Sequence, residues 1–346
     1  MKISTMLQYD GNPRTAADQV TALEKAGLDT VWVAEAYGFD SPTLMGYLAA
    51  KTSTVEIGSA ILNIFSRTPG ALLQTAAGLD NVTGGRAILG LGASGPQVIE
   101  GFHGVPYKRP LKRTAEVIDL IRRGLKREPL TGEGEFTLPL DKEHGAVTGL
   151  GKPLKLLTKP ERDTIPIWIA ALGPKNVEQA AEIADGWIPH LFHPERADLV
   201  WGEALRAGTA RRSADLGPLQ VTAGGLVAIG EGPETKAMLD FVRPLFALYV
   251  GGMGARGKNF YNDVARAYGY EEAAEKIQDL YLSGKKKEAE AEVPLEWLEA
   301  ANLVGPESYV KERLAAFADA GVTHLNAYLF GDDAPRTVEK LKEWTA

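Results

Sequence analysis

Two side chains in this sequence stand where a proton could be handled. Glu35 follows the apolar run Thr30 to Ala34 (TVWVA), and His190 ends Gly186 to His190 (GWIPH). At the end of a buried strand, a carboxylate can hydrogen-bond a cofactor ring or shuttle a proton, and an imidazole can act as an acid near neutral pH. Either residue is as easily structural, Glu35 as the partner of a nearby Arg or Lys. Two loops could hold an anion. Gly92-Ala93-Ser94-Gly95 and Leu172-Gly173-Pro174-Lys175-Asn176 each follow an apolar run. Small residues let backbone N–H groups approach a phosphate, and the second loop adds a helix start and one lysine. Arg67, in FSRTP, could steer an anionic group or form a surface ion pair. His103, His144 and His324 read as structural and His193 as a surface residue. With no cysteine and no histidine spacing suited to zinc, no metal site is expected.

The elements that must position these residues form a strand and helix alternation. Lys2 to Gln8 is an apolar-rich run, and Asp10-Gly11-Asn12-Pro13 opens a helix that closes at Gly27. Thr30 to Ala34 is a second strand, and Ser41-Pro42 caps a helix through Ala50. Val55 to Leu62 is a third strand. Thr68-Pro69 then caps a helix whose Leu72, Thr75, Ala76, Leu79 and Val82 share one face, and Gly84-Gly85 ends it. Arg86 to Leu91 is a bare apolar run, as suits a parallel strand buried on both faces. Pro110 to Lys126 is a helix. Residues 127 to 164, rich in Gly, Pro and charge, read as a surface excursion with room for a small hairpin.

Further strands are expected at Ile165 to Ala171, Gly186 to His190, Leu219 to Ile229 and Val322 to Phe330. A long helical excursion from Gly232-Pro233 to about Val304 interrupts them. LEKAGLDTVWVAE at 23 to 35 resembles FADAGVTHLNAYL at 317 to 329, so like units recur. Eight strands of this kind favour a (β/α)8 TIM barrel over a doubly wound sheet, with functional residues at the strand C-termini. Tyr9, Tyr37 and Phe39 would then line the mouth. Met253 and Arg256, in the glycine-rich GGMGARG, would form a lid or a linker.

Composition narrows the chemistry. The chain has 346 residues and a net charge of -7, so nothing favours nucleic acid or anionic lipid as a partner, and a small-molecule substrate is the default. No apolar run approaches the roughly 18 residues of a membrane helix, and residues 1 to 9 lack the form of a secretory signal, so a cytoplasmic protein is expected.

Several segments resemble the bacterial luciferase-like oxidoreductases, and within them the actinobacterial enzymes that use the deazaflavin coenzyme F420. They are ALEKAGLDTVWVAE, IGSAIL with NIFSRTP, RAILGLGASGP, IPIWIAALGPKN, ADGWIP and YVGGMGARGKNFYNDVARAYGYE. The resemblance implies one barrel domain over 1–346, with insertions near 127–164 and 232–304, and a hydride moved between F420 and a small organic substrate. It places a bulge with a non-proline cis peptide at Ala60-Ile61, within Gly58 to Leu62, and sets Ser59, Ala60 and Ile61 against the cofactor ring. It sets Ala93, Ser94, Gly95, Leu172, Gly173, Pro174, Lys175 and Asn176 around the phosphate-bearing tail, and it implies a homodimer.

F420-dependent sugar-phosphate dehydrogenases carry a histidine where this chain has Ala36, and a glutamate where it has Gly95. Reduction of another acceptor or oxidation of another alcohol is left open. The alternatives are an FMN-dependent monooxygenase of the same superfamily and a non-catalytic F420-binding protein.

Overall fold

The computed structural model describes every residue except Gln8, Asp10, Ala146 and Ala346. The readings placed on Gln8 and Asp10, the end of the first run and the opening of its turn, therefore lie outside the described residues. Eight parallel strands close a barrel: β1 (Lys2–Met6), β2 (Thr30–Val33), β3 (Glu56–Ser59), β4 (Ala87–Gly92), β5 (Ile167–Ala170), β6 (Gly186–Ile188), β7 (Gln220–Ala223) and β8 (His324–Asn326). Closure is made by β8 against β1, with Lys2 opposite His324. The helices that follow them are α1 (Pro13–Lys25), α2 (Ser41–Ala49), α3 (Pro69–Thr83), α4 (Pro110–Leu125), α5 (Pro174–Ile183), α6 (Ala197–Arg211), α7 (Glu307–Asp319) and α8 (Ala334–Thr345). β2 and β4 are buried along their whole length, as bare apolar runs require.

Local signals set α3 as expected. The Thr68 hydroxyl accepts from Ala71 N–H, Pro69 opens the first turn, and Gly84 ends the helix at φ 64°. Its inward face differs at one place. Val82 is exposed, while Asp80 and Thr83 are buried. Thr83 lies eleven residues after Leu72, close to three whole turns, whereas Val82 is about 100° further round.

Inside the barrel, Trp32, Ile88 and Trp168 form a layer against which Met6, Ala60 and Ile188 pack. The two indoles need small neighbours. A Cβ on Gly58 would lie 2.4 Å from Trp32, and one on Gly186 would lie 2.1 Å from Trp168. The barrel is thus a filled core, and ligand space exists only at its ends.

Two expectations about chain course are corrected. Leu219 to Ile229 is not one strand: β7 stops at Ala223, and Val227–Ile229 leaves the barrel to pair in parallel with Leu303–Gly305. Two glycines at the break let the chain pass close to neighbouring backbone. A Cβ at Gly224 would meet the Asn326 carbonyl oxygen at 2.4 Å, and one at Gly225 would meet that of Ala301 at 2.3 Å. The excursion from Gly232 therefore ends in a strand rather than a helix. The other excursion does hold a small hairpin, Gly132–Glu133 against Thr137–Leu138. It returns through Arg162, whose guanidinium grips the wholly buried carboxylate of Asp80 on α3.

Candidate active site

The C-terminal mouth of the barrel gathers the residues singled out above. Strand β3 is interrupted at Ala60-Ile61, where the peptide bond is cis, and resumes at Leu62–Asn63. Ile57 lies opposite Ala87, yet Leu62 lies opposite Leu91. Five steps on β3 therefore match four on β4, which is a bulge of one residue. Ser59 anchors it. Its hydroxyl donates to the Gly90 carbonyl at 2.8 Å and accepts from Gly90 N–H at 2.9 Å, so that side chain is spent within the fold. Ala60 and Ile61 remain partly exposed.

The two candidate anion loops follow β4 and β5. Ala93 is nearly buried, and Ser94 is exposed with φ 56°. Ser94, Ala36 and Leu191 all adopt positive φ just beyond the ends of β4, β2 and β6. Non-glycine residues in that region concentrate at functional sites. Beyond β5, the Ala171 and Leu172 carbonyls accept from the indole N–H groups of Trp187 and Trp201 at 3.0 and 2.8 Å. Gly173 opens α5 with no side-chain cap, Lys175 stands exposed in the first turn, and Asn176 is half-buried beside it. Phe260, on the excursion helix Phe260–Ala267, lies over Gly173.

Glu35 and His190 behave differently. Both oxygens of Glu35 accept from the Arg67 fork at 2.7 Å, and Ser41 N–H adds a third bond at 3.2 Å. Arg67 also donates to Asp40 at 2.6 Å. These hydrogen bonds hold the Arg67 guanidinium above its ordinary pKa, against the effect of burial. Of the two readings of Glu35, the geometry displays the structural one, a clamp between the ends of β2 and β3. His190 Nε2, in contrast, is buried with no hydrogen-bond partner among the described residues. The ring lies against Tyr249 and Tyr261, with centroids 4.1 and 5.7 Å away. Burial pushes its pKa down to about 4, so it is neutral at pH 7.

His193, expected on the surface, is buried against Tyr268 and faces Glu195 at 3.1 Å. The aromatic residues of the distant excursion cover it, which no local pattern indicates. His324 is buried below the mouth, edge-on to Trp168, with burial and the Lys2 charge pushing it down to about 4. Of the five histidines, His190 and His324 should therefore resist protonation until about pH 4. Titration of the imidazole C–H resonances by NMR, with His190→Asn for assignment, checks this. A midpoint near 6.5 for His190 would contradict its burial.

Tyr9 and Phe39 touch, with centroids 5.9 Å apart, while Tyr37 and Phe39 are largely exposed. Arg256 pairs with Asp279 on the surface. Asn326 was not singled out in the sequence. It lies on β8 and is buried, with its amide Oδ1 unpartnered among the described residues. Its only sequence signal is its place at the end of a barrel strand. No group of metal-binding side chains occurs among the described residues, and no helix among them is long and apolar enough to cross a membrane.

Residues 1–324 match the family described as luciferase-like monooxygenase. The Mycobacterium tuberculosis protein named "Putative coenzyme F420-dependent oxidoreductase Rv3520c" is 41% identical over 330 residues, 93% of each chain. A 5,10-methylenetetrahydromethanopterin reductase of Archaeoglobus fulgidus is 26% identical over 89% of this chain and 87% of its own. Among solved structures, the coenzyme F420 dependent tetrahydromethanopterin reductase from Methanopyrus kandleri superposes with a TM-score of 0.78 at 22% identity, covering 98% of this chain and 96% of that one. With its closed eight-stranded barrel and its bulged third strand, the chain belongs to the luciferase-like family.

Proposed function

We propose that this chain is an oxidoreductase that moves a hydride between coenzyme F420 and a small organic substrate, acting in the cytoplasm as a homodimer. The observation that carries the reading is the 41% identity, over 93% of both chains, to a relative named for F420. When bound, F420 gives or takes a hydride at C5 of its deazaflavin ring, and the redox chemistry is the cofactor's own.

The residues present fit such a group. Ala60 and Ile61 offer a partly exposed backing surface at the bulge. Ala93, Ser94 and Gly95 present small residues after β4. Leu172, Gly173, Pro174, Lys175 and Asn176 offer an uncapped helix start and an ammonium that forms no ion pair among the described residues. Ser59 holds the bulge in place, Glu35 fixes Arg67 at the rim, and neutral His190 holds a polar atom at the mouth. Tyr249 and Tyr261 screen that atom from water.

A side-by-side titration of the purified protein with F420 and FMN, followed by tryptophan fluorescence, tests the reading. Trp187 and Trp201 are bonded to the loop proposed to hold the tail, so a signal is expected. F420 should bind at micromolar concentration or below, and FMN far more weakly; the reverse order would make the protein a flavin monooxygenase. Tight F420 binding with no turnover on a broad acceptor panel would make it a binding protein. Lys175→Ala should weaken F420 binding about tenfold with Tm unchanged, because the side chain is exposed. A matching fall in Tm would assign it a structural part instead.

A further inference from the structure

A cavity at the mouth, on the side of β1, β6, β7 and β8, is roofed by the excursion residues Val242, Leu245 and Phe246. Met6 and Ile188 belong both to its wall and to the layer against which Ala60 packs. None of its lining side chains is Asp, Glu, Lys or Arg. Thr222 is bonded to Ser4, and both ends of the Asn302 amide are spent on Leu226 N–H and the Leu298 carbonyl. Among the described residues, three polar side chains are left to meet a ligand: His190, Asn326 and Tyr328.

Asn326 is 8% exposed, and its Oδ1 has no hydrogen-bond partner among the described residues. A buried amide without partners costs stability unless a ligand completes it. Burial keeps His190 neutral and pushes the Tyr328 hydroxyl up to about 12, so neither supplies charge at pH 7. Arg67, at the rim, is already neutralised by Glu35 and Asp40. A phosphate or carboxylate placed here would be a buried, unpaired charge.

Resting on the F420 reading, we infer that this cavity takes an uncharged, largely apolar substrate whose single carbonyl or hydroxyl oxygen is held by Asn326 and His190. The amide carries a donor and an acceptor side by side. It can donate to a ketone oxygen and accept from the corresponding hydroxyl, so one residue serves both oxidation levels of the substrate carbon.

The test compares 2-heptanone with 6-oxoheptanoate, which keeps the carbon count and adds a carboxylate. Affinities are read by ligand-observed NMR on the protein alone and with F420, and KM is read with reduced F420. The ketone should bind at least about tenfold more tightly than the oxo acid. Asn326→Leu should weaken ketone binding about tenfold, with F420 affinity unchanged and Tm held or raised, because an unsatisfied buried amide has been removed. A merely structural asparagine would instead lower Tm and leave ketone affinity unmoved. Equal or tighter binding of the oxo acid, no binding of the ketone, or unchanged ketone affinity in Asn326→Leu would each overturn the inference. Failure of F420 to bind would sink the functional reading separately, and the measurement on the protein alone would still decide the charge preference.

Discussion

Gly90→Ala is expected to leave little folded protein. A Cβ at this position would lie 1.8 Å from the Ser59 carbonyl oxygen and 3.0 Å from its carbon. Both are backbone atoms, so no rotamer change can make room. Gly90 is also tied to Ser59 at both its N–H and its carbonyl. Moving β3 away from β4 would break these two buried bonds and open the barrel wall beside the bulge. The combined cost should exceed about 4 kcal/mol, the range reserved for few single substitutions. Gly78→Ala is the control: it lies within α3 with nothing within 4 Å of the added carbon. That change should stabilise by roughly 0.5–1 kcal/mol, through helix propensity. Soluble yield and Tm measured side by side decide the matter. A Gly90→Ala protein with near wild-type Tm would show that β3 and β4 separate freely.

The contrast between these glycines shows which parts of the fold are legible in a sequence. Signals that act over a few residues read correctly: the Thr68-Pro69 start, the Gly84 stop and the apolar runs of β2 and β4. Together with the recurrence of a helix-ending glycine before a strand, they were enough for the barrel. Features decided by distant residues did not read from local patterns. Gly224 and Gly225 looked compatible with a continuous strand because the backbone they pass closely, at Asn326 and Ala301, lies far along the chain. His193 looked exposed because Tyr268, which covers it, belongs to the long excursion.

The site divides in the same way. The loops after β4 and β5 were visible as small residues following apolar runs. The bulge at Ala60-Ile61 came only from resemblance, since its composition resembles any buried strand. Glu35 and His190 were equally ambiguous beforehand. Arg67 takes both carboxylate oxygens of the first, whereas Nε2 of the second has no hydrogen-bond partner among the described residues. Asn326 escaped notice because an asparagine carries meaning only when its surroundings leave the amide unsatisfied.

Arg162→Met should lower stability by about 3–5 kcal/mol, because it strands a charge in the interior. The Asp80 side chain is fully buried. Both its oxygens accept from Arg162 Nε, at 3.0 and 3.1 Å, and one accepts from Nη2 as well. The same Nη2 donates to the Ala87 carbonyl at 2.8 Å, so one guanidinium joins the first excursion to α3 and to the start of β4. Methionine keeps much of the aliphatic length and none of the charge, which separates lost pairing from lost packing. For a chain of this size the loss corresponds to a fall in Tm of about 4–7 °C. The double variant Arg162→Met with Asp80→Leu should recover most of it, because an apolar pair needs no partner. If the double variant is no better than Arg162→Met, the contribution lies in the Ala87 bond and not in the carboxylate. The pair meets the beginning of β4, whereas the proposed anion loop follows its end. F420 affinity measured well below Tm should therefore remain unchanged, and a parallel loss would mean that this end of the barrel governs the geometry of the mouth.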